Sequence, residues 1–281
     1  MKVAMTVAGS DSGGGAGIQA DLKTFAALKV YGASAITALT AQNTQGVEGV
    51  YQVPPSFVAE QMEAVLKDMT VQVLKTGMLS NQAVIEEVAG VYRRWGLSCL
   101  VLDPVMVAKS GDMLLEKSAV NTLREKLFPL AIVITPNLNE AGVLIEEKVD
   151  TMDKMKDAAR KLHRMGPTYV VVKGGHLLDE GEDINRKVND KHTEKKEVVD
   201  LIYDGNEFVF SRIPWVDTFN THGTGCTYAA AAAAYLARGR EIISALRGAH
   251  HYVQRALIYS QNPGKGAGPL HHMHPFYEEW K

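Results

Sequence analysis

The sequence predicts an open α/β sandwich in three layers, with helices on both faces of a mostly parallel central sheet. Three observations predict it. Short β-branched runs alternate with longer amphipathic ones along most of the chain, the pattern of repeated strand–helix–strand crossovers. The strand runs are apolar on both faces, as a sheet covered on both sides requires. No linker-like stretch and no internal repeat interrupts the alternation, so the 281 residues read as one domain.

The elements follow in order. "KVAMTVAG" (2–9) is a strand that ends in a glycine-rich loop, and "IQADLKTFAALK" (18–29) is the helix after it. "ASAITAL" (33–39) is a second strand. "AQNTQGVEGVYQVPP" (41–55) then breaks the pattern: it is polar, glycine-punctuated and reads as a lid at a strand's carboxyl end. Residues 55–69 are helical, with Phe57, Met62, Val65 and Leu66 near helical spacing. A strand at 71–77 and a helix at 81–95 follow. Strands at 99–105, 131–137 and 169–175 are separated by helices near 117–127 and 152–165. "DEGEDINRKVNDKHTEKKE" (179–197) is dense in charge and predicts a surface loop or loose hairpin. "CTYAAAAAAYLARG" (226–239) is an alanine-rich helix.

Composition narrows the function classes. The chain is 46% hydrophobic and 22% charged with a formal net charge of −2, which suits a soluble globular protein with a sizeable core. Such a balance gives no reason to expect nucleic acid or an anionic membrane as partner. Two cysteines, Cys99 and Cys226, make no disulfide framework and suit a reducing compartment. The N-terminal run lacks a signal peptide's apolar region and cleavage site. No stretch approaches the roughly 20 apolar residues of a membrane span. The expectation is a cytoplasmic protein.

Functional hints cluster at strand ends, where open α/β sheets bind ligands. "GSDSGGGAG" (9–17), "KTGM" (75–78), "LDPVM" (102–106) and "TPNLNE" (135–140) each place unusual residues there. The first follows a strand and opens a helix, but it matches neither G-x-G-x-x-G nor G-x-x-x-x-G-K-[ST]. It reads as a tight turn, or as a surface closing over a flat small molecule. Asp21, four residues after Gly17, is either a favourable charge in the first helical turn or an acceptor for ligand N–H and O–H groups.

"HGTGCT" (222–227) carries a stronger signal. The first N–H groups of the alanine-rich helix lack intrahelical partners and lie at the positive end of its dipole, so they can bind an anion. Gly223 and Gly225 let the backbone wrap that anion. Cys226 at this position is expected to shift toward thiolate; a small buried apolar residue is the equal alternative.

Together, "AGSDSGGGAGIQADLKTF", "TALTAQNTQGV", "KTGML", "LDPVMVAKSGD", "ITPNLNEA", "VVKGGH" and "NTHGTGCT" resemble, in order and over essentially the full length, the hydroxymethylpyrimidine/phosphomethylpyrimidine kinases of thiamin biosynthesis, members of the ribokinase-like fold. The resemblance implies ATP- and Mg²⁺-dependent phosphorylation of an aminopyrimidine alcohol and then of its monophosphate, by a homodimer. It implies that Gly223, Thr224, Gly225 and Cys226 cradle the transferring phosphoryl group, with Cys226 where many ribokinase-like enzymes have an aspartate base. Asp21 and Gln42 match pyrimidine-binding positions; Gly9, Ala16, Met78 and Val105 match the pocket wall. Asn137 and Glu140 form the N-x-x-E pattern that works near Mg²⁺ and the ATP phosphates, although a helix cap explains them as well. Asp103 and Lys173 face the same crevice, with Asp103 and Glu140 as the metal candidates. A Gln amide pairs one donor and one acceptor with the edge of a 4-aminopyrimidine, which makes Gln42 the selector. A pyridoxal kinase of the same fold is the nearest alternative reading; a non-catalytic pyrimidine-binding module is the alternative of another class.

Remaining motifs read as structural. His271, His272 and His274 suit tail packing better than a metal site. His250 and His251 read as helix packing, and Cys99 as inert core. His222 either orients its loop or contacts nucleotide.

Overall fold

The computed structural model describes residues 1–106, 118–175 and 197–277. Nine strands form one sheet: β1 (Val3–Asp11), β2 (Tyr31–Gln42), β3 (Val47–Gln52), β4 (Val73–Thr76), β5 (Leu100–Leu102), β6 (Val133–Ile134), β7 (Tyr169–Lys173), β8 (Glu197–Tyr203) and β9 (Phe208–Pro214). Their order is β3-β2-β1-β4-β5-β6-β7-β8-β9. The run from β2 to β7 is parallel. Antiparallel strands close both edges, β3 on one side and β8–β9 on the other.

Alternation of side chains places successive strand residues on opposite faces. Met5, Val7, Leu74, Leu100, Leu102, Ile134 and Val170 form one core with helices α2 (Pro55–Asp68), α3 (Gln82–Arg94), α4 (Ala119–Lys126), α5 (Leu138–Ile145) and α6 (Met152–His163). Ala4, Val73, Val101, Val133 and Val171 form the other with α1 (Gly17–Ala27), α7 (Thr224–Ala237) and α8 (Ile242–Ile258). This is the three-layer sandwich that the alternation predicts. The six consecutive alanines of α7, 229–234, are fully buried. Their small side chains let α7 pack against α1, α8 and the centre of the sheet.

Two expectations need correction, and a third falls, but for Glu197, outside the described residues. The segment 41–55 is no loop: β2 runs on to Gln42 and turns back as β3, because Val47, Val50 and Tyr51 supply a strand the polar residues concealed. The strands at 99–105 and 131–137 are shorter than expected, three residues (Leu100–Leu102) and two (Val133–Ile134). Of the insertion at 179–197 only Glu197 is described, and it begins β8. Among the described residues no helix is long and apolar enough to cross a membrane.

Candidate active site

The N-terminus of α7 is the centre of the crevice. Gly223 has φ of +83°, and a Cβ there would lie 1.9 Å from the Gly15 carbonyl oxygen, so only glycine fits. Thr227 N–H is the first to bond back into the helix, to Gly223 O at 2.9 Å. The N–H groups of Thr224, Gly225 and Cys226 therefore have no intrahelical acceptor. The Thr224 hydroxyl donates to Thr221 O at 2.7 Å and steadies the loop. A Cβ on Gly225 would stand 3.2 Å from Lys173 Nζ and 3.7 Å from Asp103 Oδ2. The backbone hole, a cation and a carboxylate thus meet at one point.

Lys173 Nζ donates to Asp103 Oδ1 at 3.1 Å, and the same oxygen accepts from Thr135 Oγ1 at 3.1 Å. Burial works against the Lys173 charge, but Asp103 and Glu140 outweigh it and hold the ammonium above the ordinary lysine range. Asn137 and Glu140 form a complete capping box on α5: Asn137 Oδ1 accepts from Glu140 N at 2.9 Å, and Glu140 Oε2 from Asn137 N at 2.7 Å. Burial also pushes the Glu140 carboxyl up to about 7, with Lys173 pulling it down and Asp103 raising it. The cap and the crevice are therefore served by the same acid.

Among the described residues no three metal-ligating side chains converge. Mg²⁺ does not need them: it binds through one or two carboxylates plus phosphate oxygens and water. Asp103 and Glu140 would supply such a pair, since an acid driven toward neutrality by burial is one that a cation would stabilise. The donor set fits Mg²⁺ held jointly with a nucleotide.

Asp21 differs from expectation. It is the fifth residue of α1, beyond the first turn, and it is fully buried. Both its oxygens are taken, by Lys75 Nζ at 2.9 and 2.8 Å and by Thr6 Oγ1 at 2.6 Å. No oxygen is left free of protein donors for a ligand, and the charge answers Lys75 rather than the helix dipole. Burial works against the Lys75 ammonium, but Asp21, Cys226 and Asp103 outweigh it. Lys75 is one residue to which the sequence reading gave no role. Its signal was a lone lysine inside the apolar run "VQVLKTG", which a buried strand tolerates only with a partner.

Of the two readings of Cys226, burial favours the apolar one over the thiolate. Burial pushes its thiol up to about 11, although Lys75 and the Gly17 N–H favour the thiolate. The residue is half-buried in the first turn of α7.

The residues expected to wall a pocket come from distant segments. Irregularities in strand pairing fall between Ala8 and Ser10 and between Ala41 and Gln42. Such bulges re-aim the chain beside sites, and here they flank Gly9 and Gln42. A Cβ on Gly9 would come within 3.0 Å of Met78 Sδ, so the strand backbone and the methionine share one surface. Ala16 lies against Gly223. Val105, half-buried, follows Asp103, whose carbonyl accepts its N–H at 2.8 Å.

Asp11, absent from the sequence reading, organises the glycine-rich loop. Its carboxylate accepts from the N–H groups of Gly13, Gly15 and Ala16 at 2.8, 3.1 and 2.8 Å, and from His222 Nε2 at 2.9 Å. Burial opposes that charge, yet His222 and the amides hold the carboxyl below its usual range. His222 therefore orients its loop. The other histidines pack as expected: His272 is bonded to Thr227 Oγ1 at 2.9 Å, His250 to Ser211 Oγ at 2.9 Å, and the His274 ring stacks on Tyr259. His251 is exposed and does not join that packing.

Comparison with known proteins agrees with this geometry. The phosphomethylpyrimidine kinase family profile matches residues 11–271. The hydroxymethylpyrimidine/phosphomethylpyrimidine kinase of Rhizobium meliloti is 45% identical over 280 residues, covering 99% of each chain. That of Bacillus subtilis is 44% identical over 269 residues, covering 96% of this chain and 94% of the relative. A thiamine biosynthesis bifunctional protein of Geobacter sulfurreducens is 46% identical over 96% of this chain, and the chain spans 52% of that longer protein. Among solved structures, an ADP complex of Bacillus subtilis pyridoxal kinase superposes with a TM-score of 0.85 at 38% identity, covering 97% of each chain. Phosphomethylpyrimidine kinase from Clostridium difficile 630 superposes with 0.76 at 38% identity, covering 92% of this chain and all of that one. With its sandwich fold, its glycine-capped helix start and its paired carboxylates, the chain belongs to the phosphomethylpyrimidine kinase family.

Proposed function

We propose that the protein transfers the γ-phosphoryl group of ATP first to the hydroxymethyl oxygen of 4-amino-5-hydroxymethyl-2-methylpyrimidine and then to the phosphate of the product, giving the diphosphate. The observation that carries this reading is the meeting of Lys173, Asp103 and Gly225 at the start of α7. Phosphoryl transfer needs positioning and charge neutralisation more than covalent chemistry. The N–H groups of Thr224, Gly225 and Cys226 supply fixed donors, and Lys173 supplies a cation whose charge Asp103 and Glu140 secure. Mg²⁺, when bound by Asp103 and Glu140 with the nucleotide, would neutralise phosphate charge.

Gln42 selects the ring, while Gly9, Ala16, Met78 and Val105 wall its pocket. Asp21 supports that pocket from below through Lys75 instead of touching the ring. Cys226 acts as base in the first transfer, where an alcohol must lose a proton. The second acceptor is a phosphate monoester, already ionised at neutral pH. Cys226→Ala should therefore slow the first transfer at least tenfold more than the second. Product masses followed separately from the alcohol and from the monophosphate test both claims; equal losses would remove the base, and no diphosphate would remove the second step.

Likeness to pyridoxal kinases supports a side activity on pyridoxal-type alcohols, subordinate because Gln42 offers an amide that an aminopyrimidine edge requires. We also infer one kinase domain working in the cytoplasm as a homodimer. Exposed Leu39 and Tyr51 pair across β2 and β3 and offer an apolar face for a second copy. Sedimentation at micromolar concentration tests the assembly.

A further inference from the structure

Gln42 sits between two hydrogen-bonding neighbours, and counting their protons shows which way its amide faces. On one side, the Thr40 hydroxyl is 3.1 Å from the amide atom placed as Oε1 and 2.8 Å from the Ser10 carbonyl oxygen. A hydroxyl has one proton. The Ser10 carbonyl can only accept, so it takes that proton, and Thr40 must accept from Gln42. On the other side, His222 Nε2 is 3.4 Å from the amide atom placed as Nε2 and 2.9 Å from Asp11 Oδ2. The ionised Asp11 carboxylate can only accept, so His222 Nε2 carries a proton and cannot accept from an amide N–H. Both conflicts vanish together when the amide is turned over. Its NH₂ then donates to Thr40, and its oxygen faces the His222 N–H, whose one proton goes mainly to Asp11 at 2.9 Å and is shared with the amide oxygen at 3.4 Å as the longer arm of a bifurcated bond. The two ends of an amide are distinguished only by such partners, and here two independent partners agree.

We propose that Asp11 and His222 are positioning residues that fix the Gln42 amide in this turned orientation and so set which edge of a heteroaromatic ring the enzyme accepts. The inference deepens the role of Gln42 proposed above and rests on it. Asp11 is itself immobilised by three loop N–H groups. The backbone of Gln42 is pinned as well, because Ser12 Oγ accepts from its N–H at 2.8 Å and donates to its carbonyl at 2.7 Å. The side-chain amide is then placed by its own neighbours, Thr40 on one side and His222 on the other. The acceptor of the amide then lies toward His222 and its spare N–H toward Thr40. A ligand ring seats its exocyclic amino group on the His222 side and its ring nitrogen on the Thr40 side.

The test reads substrate selectivity, kcat/KM for the aminopyrimidine alcohol divided by that for pyridoxal, in a double-mutant cycle. Gln42→Met alone tests the underlying reading: an unchanged ratio refutes Gln42 as selector. If Gln42→Met lowers the ratio, His222→Leu should lower it about threefold, the effect of a hydrogen bond worth about 0.7 kcal/mol. His222→Gln, which returns an N–H donor, should recover most of it. In the Gln42→Met background His222→Leu should leave the ratio unchanged. A ratio untouched by His222→Leu while both substrates slow equally, or the same fall in both backgrounds, overturns the proposal. Thr40→Val probes the amide from its other side and should also lower the ratio, so the outcome does not hang on one variant's folding. Neutron diffraction reads the amide directly: deuterons toward Thr40 support the proposal, and deuterons toward His222 refute it.

Discussion

Replacing Lys75 with methionine should cost far more stability than any surface ion pair. Thr6 and Lys75 are paired positions on β1 and β4, and Asp21 reaches down from α1 onto both. Lys75 and Asp21 have no exposed side-chain surface, and their closest contact is 2.8 Å. Methionine fills a similar volume but leaves the carboxylate buried with Thr6 alone. Breaking one side of such a pair costs about 3–5 kcal/mol. At about 2–4 °C per kcal/mol for a protein of this size, the melting temperature should fall by about 6–20 °C. The double variant Lys75→Met with Asp21→Leu removes both charges and should recover most of that loss, because an apolar replacement of a buried pair is often neutral. The pH dependence supplies a second reading. In the single variant, burial without Lys75 raises the folded Asp21 pKa above its unfolded value. That contribution is present below about pH 4 and lost as pH rises through the folded pKa. The gap to the parent protein should therefore narrow on acidification. Scanning calorimetry from pH 4 to pH 8 measures it. A loss below about 1 kcal/mol, the range of exposed pairs, or a double variant no better than the single one, would refute the reasoning.

Other outcomes follow from the same geometry. Gly225→Ala puts a methyl group 3.2 Å from Lys173 Nζ, so both transfers should slow at least tenfold while the melting temperature moves little; steady-state rates with each acceptor check this. Asn137→Ala removes half of the capping box and should cost about 1 kcal/mol in urea unfolding, with a raised KM for ATP. His272 and His274 are held neutral by burial, with pKa values lowered to about 3 and about 4. Folded values below the unfolded one mean that their contribution is present above about pH 6.5 and lost as pH falls. Each should subtract up to about 1.4 kcal/mol per pH unit below 6.5, and His272→Asn should flatten that slope in denaturation series.

The sequence exposes the layers because they rest on local pattern. Runs such as "CLVLDPV" and "YVVVKGG" are apolar on both faces, and only a doubly covered strand tolerates that. The hole at "HGTGC" is legible for a similar reason: glycines before a helix leave donors unpaired whatever lies elsewhere. Partners distant in sequence are not legible. Asp21 and Lys75 are separated by 54 residues, and Asp11 and His222 by 211. Neither pair follows from spacing, so Asp21 looked like a free acceptor and Asp11 like one more polar loop residue. The strand β3 was hidden because an edge hairpin half-exposed to solvent carries no continuous apolar run.

The two readings of Cys226 are not exclusive, and their balance limits what the thiol contributes. A helix start favours thiolate and burial opposes it, and here burial wins at about 11. At pH 7 about one thiol in 10⁴ is ionised. A more basic thiolate compensates in part: with a Brønsted coefficient near one half, about two of those four decades return, leaving it about a hundredfold short of a base matched to neutral pH. A group so poised assists an alcohol without dominating its activation. Most of the barrier then falls to the parts that both transfers share, the N–H groups at 224–226 and the charge of Lys173. One site can thus serve two unlike acceptors. Deprotonation distinguishes the two steps, and it rests on the component with least leverage, whereas phosphoryl charge is common to both and meets the rigid components.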